Sequence, residues 1–205
     1  MNKKIFVITG SAGFIGFHLS LKLLKNGYQV IGIDNLNNYY DINLKKNRNK
    51  ILKKFKNYKF EKIDIKNSKK LDSVFKKKKI YCVINLAAQA GVRYSLINPK
   101  SYIDNNILGF FNVLDAVRKN KIQKFVYAST SSVYGLQSKF PLKEKFNTDK
   151  PIQLYAATKK SNEVMAASYS HLYKINTIGL RFFTVYGPWG RPDMALFKFT
   201  KNILK

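Results

Sequence analysis

The sequence predicts a doubly wound parallel α/β sheet, and three observations carry that prediction. Strand-like apolar runs alternate with helix-like stretches along the chain. The strand-like runs are short and continuous in Val, Ile and Phe, as strands covered on both faces are. The first of them runs directly into glycines at the spacing G-x-x-G-x-x-G, in the segment VITGSAGFIGFHL.

The first strand is expected at 4–9. It feeds Gly10, Gly13 and Gly16, which open a helix over 14–26. In the first βαβ unit this glycine pattern has a physical use. Gly10 allows the tight turn, Gly13 lets backbone approach a pyrophosphate at the helix N-terminus, and Gly16 lets helix and strand pack closely. Phe14 and Ile15 belong to the same helix opening. The bland alternative is a glycine-rich turn without a ligand. The second strand, 29–34, ends at Asp34, 18 positions after Gly16. That is near the ~20 expected of the acid that bonds the ribose hydroxyls of a dinucleotide. A carboxylate there repels a 2′-phosphate, so NAD is favoured over NADP as cofactor. A helix over 41–56 and a third strand over 59–64 follow. The strand ends at Asp64-Ile65, suited either to touching an adenine or to capping the next helix. That helix is expected over 68–77. A fourth strand over 81–86, a helix over 99–120, a fifth strand over 124–129, a helix over 155–174 and a sixth strand over 177–182 complete the pattern. Sheets of this kind bind ligands outside the carboxyl ends of their strands.

The length of 205 residues, 45% hydrophobic, suits one domain with part of a second. No apolar run approaches the length of a membrane span. The opening MNKKIFVITG stops being apolar too soon for a signal peptide core. Cys82 is the single cysteine, which excludes an internal disulfide and fits a reducing cytoplasm. It lies in an apolar run and reads as a core thiol. No metal site is expected. The formal charge of +27 invites a nucleic-acid reading. Against it, only five of the 38 basic residues are arginine, and arginine is the preferred reader of bases and phosphates. The lysines are spread through the first 160 residues, with one dense run at 76–79, and compositional drift on solvated faces accounts for them.

The fifth strand ends in ASTSSVYG, a row of four hydroxyl residues from Ser129 to Ser132. One reading is a turn, since serine and threonine bond their own backbone. The other depends on what else reaches that strand end. Tyr155 and Lys159 lie four apart on a predicted helix, so both can face one cleft.

The glycine spacing, NLAAQAG at 85–91 and Tyr155-Ala-Ala-Thr-Lys159 resemble the extended short-chain dehydrogenase/reductase family. NLAAQAGVRYSLINP, SVYG, LYAATKKSNE and GLRFFTVYGPWGRPDMALFKF are similar to the UDP-glucuronate 4-epimerases of that family. The resemblance covers nearly the whole chain and implies a Rossmann-like fold. It also implies Tyr155 as the acid/base, with Lys159 as its partner and Thr130 handing over the sugar proton. A free tyrosine titrates near 10, and a neighbouring ammonium together with the positive nicotinamide is expected to lower that value. Asn35 and Asn38 match adenosine-binding positions, and Asn106 one near the nicotinamide ribose. Leu86, Ala87 and Ala88 match the strand end beside the cofactor. Phe183 and Thr184 flank the sugar pocket. Arg191 is the expected cation for a substrate carboxylate, because its planar fork matches that group, and Arg93 is a second candidate. His18 and His171 match no catalytic position.

In the related 4,6-dehydratases the positions of Ser131 and Ser132 carry Asp and Glu, and in the decarboxylases that make UDP-xylose an acid occupies the second. Two neutral serines favour epimerisation, and their hydroxyls can bond the sugar carboxylate. The implied organisation is an NAD-binding domain over 1–182 and the start of a substrate lobe over 183–205, with most of that lobe missing. The implied partners are a UDP-sugar and either a second copy of the chain or a separate C-terminal fragment. Two rival classes stand beside the enzyme: an NAD-holding module without turnover, and a basic nucleic-acid binder.

Overall fold

In the computed structural model, which describes residues 4–76 and 79–204, six strands form one parallel sheet. They are β1 (Ile5–Thr9), β2 (Gln29–Asp34), β3 (Tyr58–Lys62), β4 (Ile80–Asn85), β5 (Lys124–Thr130) and β6 (Asn176–Phe182). Their order across the sheet is β3-β2-β1-β4-β5-β6. The order reverses between β1 and β4, which opens a crevice at the carboxyl ends of those strands. The helices are α1 (Phe14–Lys25), α2 (Ile42–Leu52), α3 (Ser68–Phe75), α4 (Tyr94–Ile97), α5 (Pro99–Tyr102), α6 (Phe110–Lys119), α7 (Leu154–Tyr173) and α8 (Ala195–Ile203).

Alternation along each strand sends neighbours to opposite faces, so the apolar runs feed two cores. Val7, Ile31 and Val83 pack with Leu71, Phe75, Val113, Leu114 and Phe125 under α3, α6 and α7. Ile8, Val30 and Ile84 pack with Phe17, Leu24 and Leu52 under α1 and α2. Cys82 sits in the second core, where burial pushes its thiol up to about 11. It is an inert core residue.

The expected helix over 99–120 is three pieces: α5, a π-helical turn at Ile103–Gly109, and α6. The wide turn carries Asn106, whose side chain is fully engaged within the protein, as described below. The helix expected over 41–56 ends at Leu52. It starts on Asp41, whose carboxylate accepts from Asn43 N at 2.8 Å. β3 stops at Lys62, so Asp64 lies in the turn beyond it. The cap of α3 is Asn67, whose Oδ1 accepts from Lys70 N at 3.0 Å, which removes the capping reading of Asp64. Residue 77, the expected end of that helix, and residues 77–78 of the lysine run lie outside the described residues, as do 1–3 of the opening. Among the described residues no helix is long and apolar enough to cross a membrane.

Candidate active site

A cleft of about 780 Å³ opens over the carboxyl ends of the strands. Its first wall is the glycine turn. Gly10 has φ +71°, and a Cβ there would lie 2.8 Å from Ala87 N. A Cβ on Gly16 would lie 2.1 Å from Gly10 O, so only glycine lets α1 seat against the turn. Gly13 precedes α1 without a side-chain cap, and the first turn of α1 holds no acidic residue. The amides of Phe14, Ile15 and Gly16 therefore face the cleft uncapped, the donor set a diphosphate needs.

Asp34, at the end of β2, is buried against this turn. Its Oδ2 accepts from Ala12 N at 3.1 Å and its Oδ1 from Leu36 N at 2.8 Å. Burial raises its carboxyl above the ordinary value, against the Leu36 amide and the charges of Lys45 and Arg48. Two backbone bonds leave part of the carboxylate's acceptor capacity open for hydroxyls. These residues fit a dinucleotide: a cradle no side chain could occupy, free helix amides, and an acid beyond it.

The opposite wall is built by β5 and α7. Thr130 ends β5, and its Oγ1 accepts from Ser132 N at 3.2 Å, capping a 3₁₀ turn over Ser131–Tyr134. The turn reading of the hydroxyl row is thus correct for its backbone, and Thr130, Ser131 and Ser132 still line the cleft. Tyr155 and Lys159 line it from α7. Lys159 is 3% exposed, and its Nζ donates to Ala128 O at 2.8 Å. Burial holds its pKa down to about 8.

The expected lowering of Tyr155 by Lys159 does not occur. Burial pushes the phenol above its ordinary value, while Thr130 and the charge of Arg191 pull it down. The ammonium of Lys159 is spent on a strand carbonyl instead. Behind this wall, Glu163 lies one turn beyond Lys159. It accepts from Ser129 Oγ at 2.6 Å and from both Nε and Nη2 of Arg181 at 2.9 Å, locking α7 to β5 and β6.

The remaining expected residues divide. Asn35, Ile65, Leu86, Ala87, Ala88, Arg93, Phe183, Thr184 and Arg191 line the cleft. Asn38, Asp64 and Asn106 do not. Asn38 is exposed, and its neighbour Asn37 lines the cleft and receives Lys45 Nζ on its carbonyl at 2.9 Å. Asp64 accepts from Asn35 Nδ2 at 3.1 Å and from Lys66 N at 2.9 Å, a turn that presents Asn35. Asn106 is 1% exposed. Its Oδ1 accepts from Gln89 N at 2.8 Å, and its Nδ2 donates to Gln89 O and Thr158 Oγ1, both at 3.1 Å. It fastens the loop after β4 to α7 rather than reaching into the cleft. Arg191 is not a free cation either: Nε donates to Asp193 Oδ1 at 3.0 Å and Nη2 to Asp193 Oδ2. Arg93 is exposed at the cleft mouth, with no carboxylate in salt-bridge range among the described residues. His18 Nε2 lies 2.9 Å from Pro188 O, away from the chemistry. Among the described residues no group of His, Cys, Asp and Glu could hold a metal ion.

Asn37, Tyr39, Lys45, Gln89 and Asp193 also line the cleft and were not singled out in the sequence. Gln89, within NLAAQAG, and Asp193, two residues from Arg191, carried a signal.

Comparison with known proteins places these features. A family profile described as GDP-mannose 4,6 dehydratase matches residues 7–205. Protein CapI of Staphylococcus aureus is 57% identical over 198 residues, covering 97% of this chain and 59% of that protein. UDP-glucuronate 4-epimerase 4 of Arabidopsis thaliana is 51% identical over 200 residues, covering 97% of this chain and 46% of the relative. The crystal structure of UDP-glucuronic acid 4-epimerase from Bacillus cereus, in complex with UDP-glucuronic acid and NAD, superposes with a TM-score of 0.91 at 38% identity, covering 98% of this chain and 63% of that one. The chain therefore spans less than two thirds of the length of each.

Proposed function

The chain belongs to the GDP-mannose 4,6-dehydratase family, and from that premise we propose that it is the cofactor-binding and catalytic part of an NAD-dependent nucleotide-sugar 4-epimerase that converts UDP-glucuronate to UDP-galacturonate. In this reading residues 1–182 hold the cofactor and the catalytic helix, and residues 183–205 begin the substrate lobe. The observation that carries the reading is one cleft with two chemistries: the glycine cradle with Asp34 on one wall, and Thr130, Tyr155 and Lys159 on the other. The relatives above, two of them UDP-glucuronate 4-epimerases, support it.

Bound NAD supplies a hydride acceptor and, once reduced, a hydride donor. Asp34 accepts the ribose hydroxyls and disfavours a 2′-phosphate. Tyr155 takes the proton of the sugar's C4 hydroxyl as C4 is oxidised, and returns it after the keto sugar has turned its other face to the cofactor. Thr130, donor and acceptor at once, bridges that transfer. Lys159 holds the end of β5 through Ala128 O, on the same helix face as Tyr155.

The 4-keto form of a uronate is a β-keto acid, which readily loses carbon dioxide. Ser131 and Ser132 bring hydroxyls and no carboxylate to that place, so they bond the sugar carboxylate without promoting elimination or decarboxylation.

The test is product analysis. The chain, completed with the C-terminal lobe of a related epimerase, is incubated with NAD and UDP-glucuronate. UDP-galacturonate is expected, and Tyr155→Phe is expected to abolish it while NAD binding stays nearly unchanged. A predominance of UDP-pentose, or turnover of UDP-glucose in preference to the uronate, would overturn the substrate assignment.

A further inference from the structure

Arg48, on α2, is 0% exposed and is the largest fully buried side chain among the described residues. Nothing in the chemistry above uses it. A buried guanidinium ordinarily meets a carboxylate, yet Arg48 has none in salt-bridge range among the described residues. Its Nη donors go to backbone carbonyls and the Tyr40 hydroxyl, its Nε has no partner among the described residues, and the two ends of its fork face different walls. Nη1 donates to Ala12 O in the glycine turn at 3.0 Å and to Tyr40 Oη at 2.8 Å. Nη2 donates to Trp189 O at 2.5 Å and Gly190 O at 3.3 Å, in the loop that leads into Arg191 and Asp193.

That loop has few other ties to the body of the protein. Trp189 has φ +61°, a left-handed conformation that a non-glycine residue keeps only where its surroundings hold it. His18 meets Pro188 O at 2.9 Å, and the Trp189 ring lies 5.9 Å from that of Phe17. Tyr39 Oη also donates to Asp193 Oδ2 at 3.3 Å, further along the loop. Arg48 is thus the buried tie that reaches both the glycine turn and residues 189–190.

We propose that Arg48 is a positioning residue whose fork couples the two walls, so that filling the glycine cradle sets the loop that meets the sugar. The coupling rests on the dinucleotide reading above; the tie itself does not. The loop's docked state and the cradle's ligand-ready state then form one equilibrium, and a ligand of either wall shifts both. The fork is essential because lysine, a point donor, keeps charge and most of the volume but serves only one wall.

Trp189 is the chain's only tryptophan, so its emission reports this loop alone. The experiment compares wild type with Arg48→Lys, each checked for folding by circular dichroism, in acrylamide quenching of Trp189 with and without ADP-ribose, whose affinity is measured by calorimetry. Without ligand, Arg48→Lys is expected to make Trp189 roughly twice as quenchable, since the loop leaves Phe17. ADP-ribose is expected to protect Trp189 in wild type, to leave the variant unchanged, and to bind the variant roughly tenfold more weakly. Arg48→Gln, which also keeps one side of the fork, serves if the lysine variant does not fold. Equal quenching in the ligand-free proteins would overturn the tie, because a residue that only filled space and carried charge would be replaced by lysine without effect. A looser loop with unchanged ADP-ribose affinity would overturn the coupling. If wild type fails to bind ADP-ribose, the cofactor reading fails, and with it the coupling, while the ligand-free comparison still decides the tie.

Discussion

The two sides of the switch point are built from the same βα units but end in different states. Around β1, α1 and β2 the strands are sealed on both faces. Val7, Ile8 and Ile33 have no exposed surface, and even the polar Thr9, Ser11 and Asp34 are buried. From β6 to α8 the reverse holds. Ile178 is 51% exposed, β6 is an edge strand, and α8 turns Leu196, Phe197, Phe199 and Ile203 outward. The difference lies in cover within these 205 residues, which span 63% of the solved epimerase they match, and not in the local pattern. It also separates the claims made for each side. The sealed side carries the glycine turn, the uncapped start of α1 and Asp34. The open side carries Phe183 and Thr184, proposed to flank the sugar, which line the cleft and are exposed.

The sharpest way to break the sealed side is Gly16→Ala. The added Cβ would meet Gly10 O at 2.1 Å, backbone against backbone, so α1 must shift off the turn. A loss of roughly 3 kcal/mol or more in urea unfolding is expected, together with loss of NAD binding. Near-normal stability would mean that the glycine cradle is looser than described.

Lys159 gives the next largest effect, with opposite sign. Its folded pKa of about 8 lies below its ordinary 10.5. Between those values the unfolded chain binds more protons, so stability rises with pH through that window, and below about pH 8 the full penalty of burying the charge remains. That penalty is on the order of 3 kcal/mol. Lys159→Met removes it and gives back about 1 kcal/mol for the bond to Ala128 O. The variant is expected to be more stable at pH 7, flatter in its pH dependence up to pH 10, and inactive in a completed enzyme. Denaturant melts across pH check this; a destabilised variant would show that the ammonium holds the end of β5 more than its burial costs.

On the open side the expected change is small. Ile203→Ser alters a side chain that is 82% exposed, so stability should move by less than about 0.5 kcal/mol. Light scattering at high protein concentration should fall, because the apolar face of α8 loses one of its contacts. A large loss of stability would mean that Ile203 is covered in solution.

Much of this was legible in the sequence, and what escaped did so for physical reasons. The strands stand within two residues of their expected places, and for β1, β2 and β4 the reason is that doubly covered strands must be continuous apolar runs. The break of the 99–120 helix into a π turn was invisible, since Asn106 fits a helical pattern and its demand for Gln89 and Thr158 is tertiary. The share of Tyr155's lowering expected from Lys159 was misjudged for a related reason. Spacing on a helix places Lys159 on the same face, but only the fold reveals that its proton donors go to Ala128 O. Arg191 looked like a substrate cation by motif, while its pairing with Asp193 depends on how the loop turns. Arg48 gave no signal at all, because an arginine among the lysines of α2 reads as a solvated face. The glycines and Asp34 were readable because a dinucleotide cradle constrains backbone, and backbone constraint selects residue type directly.

The central claim is that the sealed side forms an NAD site on its own terms, with Asp34 as its discriminator. The direct measurement is calorimetric titration of the chain with NAD and with NADP, repeated on Asp34→Ala. One NAD per chain is expected, bound more tightly than NADP, with the gap narrowed in the variant because the 2′-phosphate no longer meets a carboxylate. NADP bound as tightly as NAD by the unaltered chain, or no binding of either, would contradict the account.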